Sequence, residues 1–175
     1  MKTLKWLLIA TTSMLVLGCA DSHSLNVTQD DTNIKFAPNN AVYIALSPDG
    51  QYGDRYYSGS GRMVSQTIKS ELIGKLDNVI IAKQPEEYIK AVEFAASRKF
   101  DYLIYPTILH WEDRATEWSA KADRVKVKMT VVDVKAGQVI KSAVIEGKSG
   151  LATLGGDHPQ DLLPEPTKAF FANML

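Results

Sequence analysis

Cys19 is the only cysteine in a chain of 175 residues, and only Gly18 separates it from the longest apolar run. No disulfide can form within one copy, so whatever this sequence builds is held by packing and hydrogen bonds alone. The run itself, Trp6 to Leu17, follows the positive Lys2 and Lys5. At about a dozen residues it falls short of the roughly 20 that a membrane-spanning helix needs. A positive start, a short apolar stretch and a small residue at a cleavage point are the parts of a secretory signal, here residues 1–18 with Gly18 before the cut. Its removal takes away Lys2 and Lys5 and no acidic residue. From a chain with 20 basic and 20 acidic residues, that leaves a nearly neutral product. Such a balance argues against nucleic acid as a partner, and the remaining length suits one domain with a core of its own.

After Cys19, the stretch from Ala20 to Asn40 is polar, with Leu25, Val27, Ile34 and Phe36 scattered through it. It reads as a tether, which at about 3.3 Å per residue would reach roughly 65 Å; the alternative is an edge strand within Leu25–Thr28 or Asn33–Phe36. The domain is expected over 41–175. Ala41 to Leu46 is a buried strand closed by Ser47-Pro48-Asp49-Gly50. Val64, Ile68, Leu72, Ile73 and Leu76 form one stripe of a helix over Met63–Leu76. Val79 to Ala82 is a second buried strand, which makes a parallel crossover with the first. A second helix is predicted from Pro85, with Tyr88, Ile89, Val92, Ala95 and Ala96 on its apolar face. Asp101 to Thr107 is a third strand running on to Trp111, and Pro106 marks an edge or bulge in it. Glu112 to Asp123 is a charged loop. Val125, Val127, Met129 and Val131 alternate with polar residues along a half-buried strand. A hairpin over Asp133–Ile140 leads to a last strand near Lys141–Glu146. Gly147 to Pro159 is a loop, and a C-terminal helix starts near Glu165, with Pro164 and Pro166 in or before its first turn. The fold class is therefore α/β: one domain, a mixed sheet of about five strands in the order β-α-β-α-β-β-β-α, parallel first and antiparallel after.

The apolar run, Gly18 and lone Cys19 together resemble the lipobox of bacterial lipoproteins. That resemblance implies a lipidated cysteine, more than one acyl chain and firm attachment to a membrane without crossing it. In that family an aspartate directly after the cysteine tends to retain the protein in the inner membrane. Ala20 holds that place and Asp21 the next, so the implied address is the periplasmic face of the outer membrane. In the second half, Asp101-Tyr102-Leu103-Ile104 and Val131 to Ile140 resemble the strand and hairpin of periplasmic lipoproteins. That group includes the curli secretion lipoprotein, the activator of a penicillin-binding protein and the amino-terminal domain of TolB. The chain is also similar to a family of small proteobacterial lipoproteins known only as a domain of unknown function. These motifs are made of strand and turn residues and imply a fold. The loops are too short and charged for the membrane hairpins of a pore.

The residues that carry chemistry are few. His23, His110 and His158 show no pair at the spacing that places two zinc ligands on one helical face, so no metal or cofactor is expected. His110-Trp111-Glu112-Asp113 is the densest polar group, and a histidine beside carboxylates is a general-base arrangement; at a strand end it is equally a set of charges meeting water. Gly147-Lys148-Ser149-Gly150 and Leu154-Gly155-Gly156-Asp157 lack the spacing of a phosphate loop. Tyr52, Arg55, Tyr56 and Tyr57 belong to the residue types that anchor protein partners, and Trp111 and Trp118 flank the charged loop in a similar way. These six are the candidate contact residues, with the alternative that the tyrosines and tryptophans cover the chain's own core. The expectation is a lipid-anchored, non-catalytic envelope protein that docks to another envelope protein or assembly. An envelope hydrolase and a small-ligand carrier are the rivals, and nothing in the sequence sets the oligomeric state.

Overall fold

In the computed structural model, residues 21–31, 34–114, 122–150 and 158–175 are described. The signal and Cys19 at one end, Trp118, and the loop at Leu154–Asp157 lie outside the described residues. The elements are β1 (Ser22–Asp30), β2 (Ala41–Leu46), the short pair β3 (Gln51–Tyr52) and β4 (Arg55–Tyr56), and α1 (Ser60–Leu72). β5 (Asn78–Pro85), α2 (Tyr88–Ser97), β6 (Tyr102–Glu112), β7 (Arg124–Asp133) and β8 (Gln138–Lys148) follow. A short 3₁₀ turn (Pro159–Leu162) and α3 (Pro164–Phe171) complete the order. Six strands make one mixed α/β sheet in the order β1-β8-β7-β6-β2-β5, and β3 and β4 form a separate hairpin. β2 runs parallel to both β5 and β6, and the β6, β7 and β8 neighbours are antiparallel, as the sequence implied.

β2 sits inside the sheet and is buried on both faces. Val42 and Ile44 point to the side covered by α1 and α3, and Tyr43 and Ala45 to the side covered by α2. The first side holds the main core: Val64, Ile68 and Leu72 of α1 and the fully buried Phe170 and Phe171 of α3 close over Val127, Met129 and Val131 of β7. At 25 cal/mol per Å² of apolar area, each such side chain contributes about 2 kcal/mol of burial, which suits a fold with no covalent cross-link.

Four expectations need correction. The polar stretch after Cys19 is not a free tether: Ser22 to Asp30 pairs antiparallel with β8 from Lys148 back to Lys141, with a register shift between Val27 and Gln29. Its side chains are exposed because it is an edge strand with little above it, and Leu25 alone reaches the core. A one-sided strand of Ser, Asn, Thr and Gln has no alternation for hydrophobic patterning to reveal, and its polarity suits an edge. Second, α1 begins at Ser60, ahead of Met63, because a distant residue caps it: both oxygens of Asp49 accept backbone hydrogen bonds, from Gly59 at 2.9 Å and Gly61 at 2.8 Å. A Cβ on Gly61 would stand 2.1 Å from the carbonyl of Ser47, so glycine is needed there. Third, Ile73, beyond the end of α1, is exposed. Fourth, Pro85 ends β5 opposite Leu46 and does not open a helix. Tyr43 Oη donates to Glu86 Oε2 at 2.6 Å and Tyr105 Oη to the Glu86 carbonyl at 2.9 Å, which holds the chain extended until Tyr88. α2 then buries only small Ala91 and Ala95 fully, leaving Tyr88, Ile89 and Phe94 exposed.

Pro106 lies beyond the last β2–β6 pair, Ile44 with Ile104, where β6 has a partner on the β7 side only. Its missing N–H therefore falls on the open flank. A register shift between Ile108 and His110 then decides what the end of β6 can do.

Candidate functional site

That shift leaves Leu109 without a register partner and half-exposed, and it lets both Ile108 and Trp111 face the main core. Trp111 is 2% exposed and packs so closely on Gly50 that a Cβ there would meet its own Cβ at 2.5 Å. This corrects its place among the candidate contact residues, because a side chain sealed in the core offers no surface to a partner. His110 and Glu112 are turned to the other side of the strand.

Glu112 is also buried, at 2% exposure. Its Oε2 lies 3.3 Å from His110 Nε2, and its Oε1 forms an ion pair with the Arg114 guanidinium. Arg114 stacks over the Tyr52 ring, whose edge meets the His110 ring at 5.1 Å. Burial pushes the Glu112 carboxyl up, but the hydrogen bonds from His110, Arg114 and Tyr52, with the Arg114 charge, outweigh it and hold the group below the usual carboxylate range. Asp123 behaves oppositely. Burial pushes its carboxyl up, and the nearby Asp113 and Glu112 charges add to this against the Arg114 backbone N–H, 2.5 Å away, and the His158 charge. Asp113 Oδ1 faces His158 Nδ1 at 3.5 Å. Ser149 and Asp123 close the end of the sheet through two reciprocal bonds, the Asp123 N–H donating to the Ser149 side-chain Oγ at 2.8 Å and the Ser149 N–H to the Asp123 carbonyl at 3.0 Å.

The aromatic loop joins this cluster. The Tyr57 hydroxyl donates to the Asp113 carbonyl and accepts from its N–H, both at 3.3 Å, and Arg55 reaches the same carbonyl from above the Tyr57 ring. Two sequence features about 50 residues apart thus form one constellation, with half-buried Tyr57 as the link. Tyr52, Arg55 and Tyr56 remain exposed on the hairpin, Tyr56 at 62%. Sequence reasoning missed Arg114, Asp123 and His158 as members. The only available signal was the run of charges across Glu112–Asp123.

Chemically this arrangement is a pinned ion network. Glu112 is ionised and held from three sides, which suits anchoring a surface hairpin better than shuttling a proton. The Asp49 carboxylate already occupies the amides at the start of α1, where an anionic ligand would otherwise bind. Among the described residues no cluster of histidine and carboxylate groups has the geometry of a metal site. A second feature, an open groove of about 810 Å³, runs between α2 and edge strand β5, with Tyr43, Ile80 and Phe100 in its floor and Phe94 and Arg98 in its wall.

The family described as a domain of unknown function, DUF4823, matches residues 34–174. The chain belongs to that family. The match covers every element except β1, whose pairing with β8 is seen only in the structure. No curated protein matches in sequence. Among solved structures, the PelC dodecamer from Paraburkholderia phytofirmans is similar with a TM-score of 0.65 and 16% identity, over 87% of this chain and 97% of that one. Lipoprotein GNA1162 from Neisseria meningitidis aligns over 63% of this chain and 83% of its own, at 14% identity and a TM-score of 0.46. The PelC likeness is one of fold.

Proposed function

We propose that this DUF4823 protein is a lipid-anchored, non-catalytic envelope protein on the periplasmic face of the outer membrane, and that it docks to a protein partner through the β3–β4 hairpin. The observation that carries the reading is the contrast within one constellation: Tyr52, Arg55 and Tyr56 are exposed, while Glu112, Arg114 and Tyr57 beneath them fix the hairpin through buried or half-buried contacts. Aromatic and arginine side chains on a rigid base lose little conformational freedom on binding, which is how contact hot spots are built. Anchoring at Cys19 is supported by the signal-like run before it, and the outer membrane by Ala20 in the position after it.

A second reading, that the partner is another copy of the chain, is favoured by two observations. Both edges of the sheet, β1 and β5, are unpaired among the described residues, and the PelC protein of similar fold forms a dodecamer. Unlike edges on one subunit suit a head-to-tail ring.

A photo-reactive residue at Tyr56, compared in cells with one at Gln138 on the opposite end of the sheet, tests the docking face. The expected result is a discrete crosslinked species from position 56 alone, weakened by Arg55→Ala with no change in melting temperature. Equal capture from both positions, or a fall in melting temperature with capture unchanged, would count against the hairpin. A species of twice the chain's mass would select the self-assembly reading.

A further inference from the structure

The pairing of β1 changes what an anchor at Cys19 means. Only Ala20 and Asp21 separate Cys19 from Ser22, three residue steps that span about 10 Å at full extension. Ser22 is fixed in register with Lys148 of β8, Lys148 with Arg124 of β7, and Arg124 with Glu112 of β6. The next rung on that face is Ser24, Glu146, Lys126 and His110. α2 covers the other half of this sheet face, over β6 and β2, and leaves this corner open.

The open corner forms a hollow of about 640 Å³, framed by Ser22 and Ser24, Arg124 and Lys126, and Glu146 and Lys148. Its charges are unbalanced. Lys126 Nζ is held by Glu146 at 2.8 Å, whereas Arg124 and Lys148 are exposed and have no carboxylate within 4 Å among the described residues. His23 and His110 complete its titratable lining, and half-exposed Leu109 stands on its rim.

We infer that this hollow is a membrane-apposed site that takes the headgroup phosphate of an anionic phospholipid, with Arg124 and Lys148 as its cationic contacts. The inference rests on the lipid-anchor reading and deepens it. The occupant follows from where the chain leaves the structure and from charge. The anchor holds the corner within about 10 Å of the bilayer surface, and the corner carries two uncompensated cations at the depth where lipid phosphates lie. Juxtamembrane Lys and Arg are attracted to anionic headgroups across less than a Debye length. The domain is thereby oriented, with the carboxyl ends of β2, β5 and β6 toward the membrane and Gln138 about 33 Å away at the other end of β8.

The test uses the full lipidated protein in nanodiscs of phosphatidylcholine with or without phosphatidylglycerol, a fraction of the lipid carrying a headgroup spin label. With Cys19 acylated, Asn26→Cys or Gln138→Cys supplies a single thiol for a fluorophore. Expected is strong quenching at position 26 and little at 138, with the position-26 signal dependent on phosphatidylglycerol. Arg124→Glu with Lys148→Glu is expected to abolish most of it, and Lys128→Glu to leave it unchanged. Should charge reversal lower the melting temperature, Arg124→Gln with Lys148→Gln carries the comparison. Equal quenching at the two positions, indifference to phosphatidylglycerol, or an unaltered signal in both double variants would overturn the site. So would loss of the signal on adding inorganic phosphate, which would make the hollow a free-phosphate site. The intact mass separates the two claims: an acylated protein with equal quenching loses only this site, whereas a protein without acyl groups overturns the anchor and this site together.

Discussion

At the scale of single residues, Glu112 is the most consequential side chain. Its lowered carboxyl means that the folded state favours the ionised form, through His110, Arg114 and Tyr52. A group whose folded value is depressed contributes stability that is complete above its unfolded value, near 4.5, and is lost as pH falls through the folded value. Asp123 opposes it: its carboxyl is raised, so its protonation on acidification favours the fold. Glu112→Gln is therefore expected to lower stability at pH 7 by about 2 kcal/mol, since it leaves the half-buried Arg114 without its counter-charge. That deficit should shrink when melting is followed below pH 4. A deficit that stays constant with pH would mean that shape, not charge, holds the cluster. Gly50 carries a second prediction. Alanine there collides with Trp111 Cβ, so Gly50→Ala is expected to cost about 2 kcal/mol in a denaturant titration.

At the scale of elements, one buried lysine joins three of them. Lys141 in β8, 3% exposed, meets Asp30 of β1 at 3.4 Å, Asn173 just past α3, and the Phe170 ring at 5.1 Å. Asn173 in turn donates to Asp30 at 3.1 Å. Removing the acid alone strands a buried cation, so Asp30→Ala is expected to destabilise by about 2 kcal/mol and to loosen both β1 and the C-terminus. Lys141→Met, which removes the charge and keeps the volume, should cost less. Thermal melts of the two variants check this, and the reverse order would show that Lys141 acts through its chain packing alone.

Elements with hydrophobic periodicity were legible in the sequence: the β2 run, the 64-68-72 stripe of α1 and the alternation along β7 all took their expected places. What escaped was decided over distance. The start of α1 depends on Asp49, 12 residues before Gly61. The extended chain at Glu86 depends on hydroxyls from β2 and β6, and the orientation of Trp111 depends on one unpaired residue at Leu109. β1 was legible only as the alternative of an edge strand within Leu25–Thr28, because a strand exposed along nearly all its length carries no apolar pattern that fixes its extent. The site was half legible. Its tyrosines and its His110–Asp113 group stood out separately, but their union and the roles of Arg114, Asp123 and His158 come from loops folding onto one strand end.

At the scale of the molecule, how the domain is carried depends on residues 22–30 being sheet and not tether. Under the proposed anchoring at Cys19, a tether would let the domain roam tens of ångströms from the membrane. A strand would instead fasten one corner of the sheet to the membrane surface and set which face, hairpin and basic rung a partner or lipid could meet. Amide hydrogen exchange over residues 22–30 in the lipidated protein tests this most directly. Pairing with β8 predicts protection of the bonded amides well above the unstructured rate, lower than in β7 because β1 has one neighbour only. Exchange throughout 22–30 at the rate of an unstructured peptide, with β7 and β8 still protected, would contradict it.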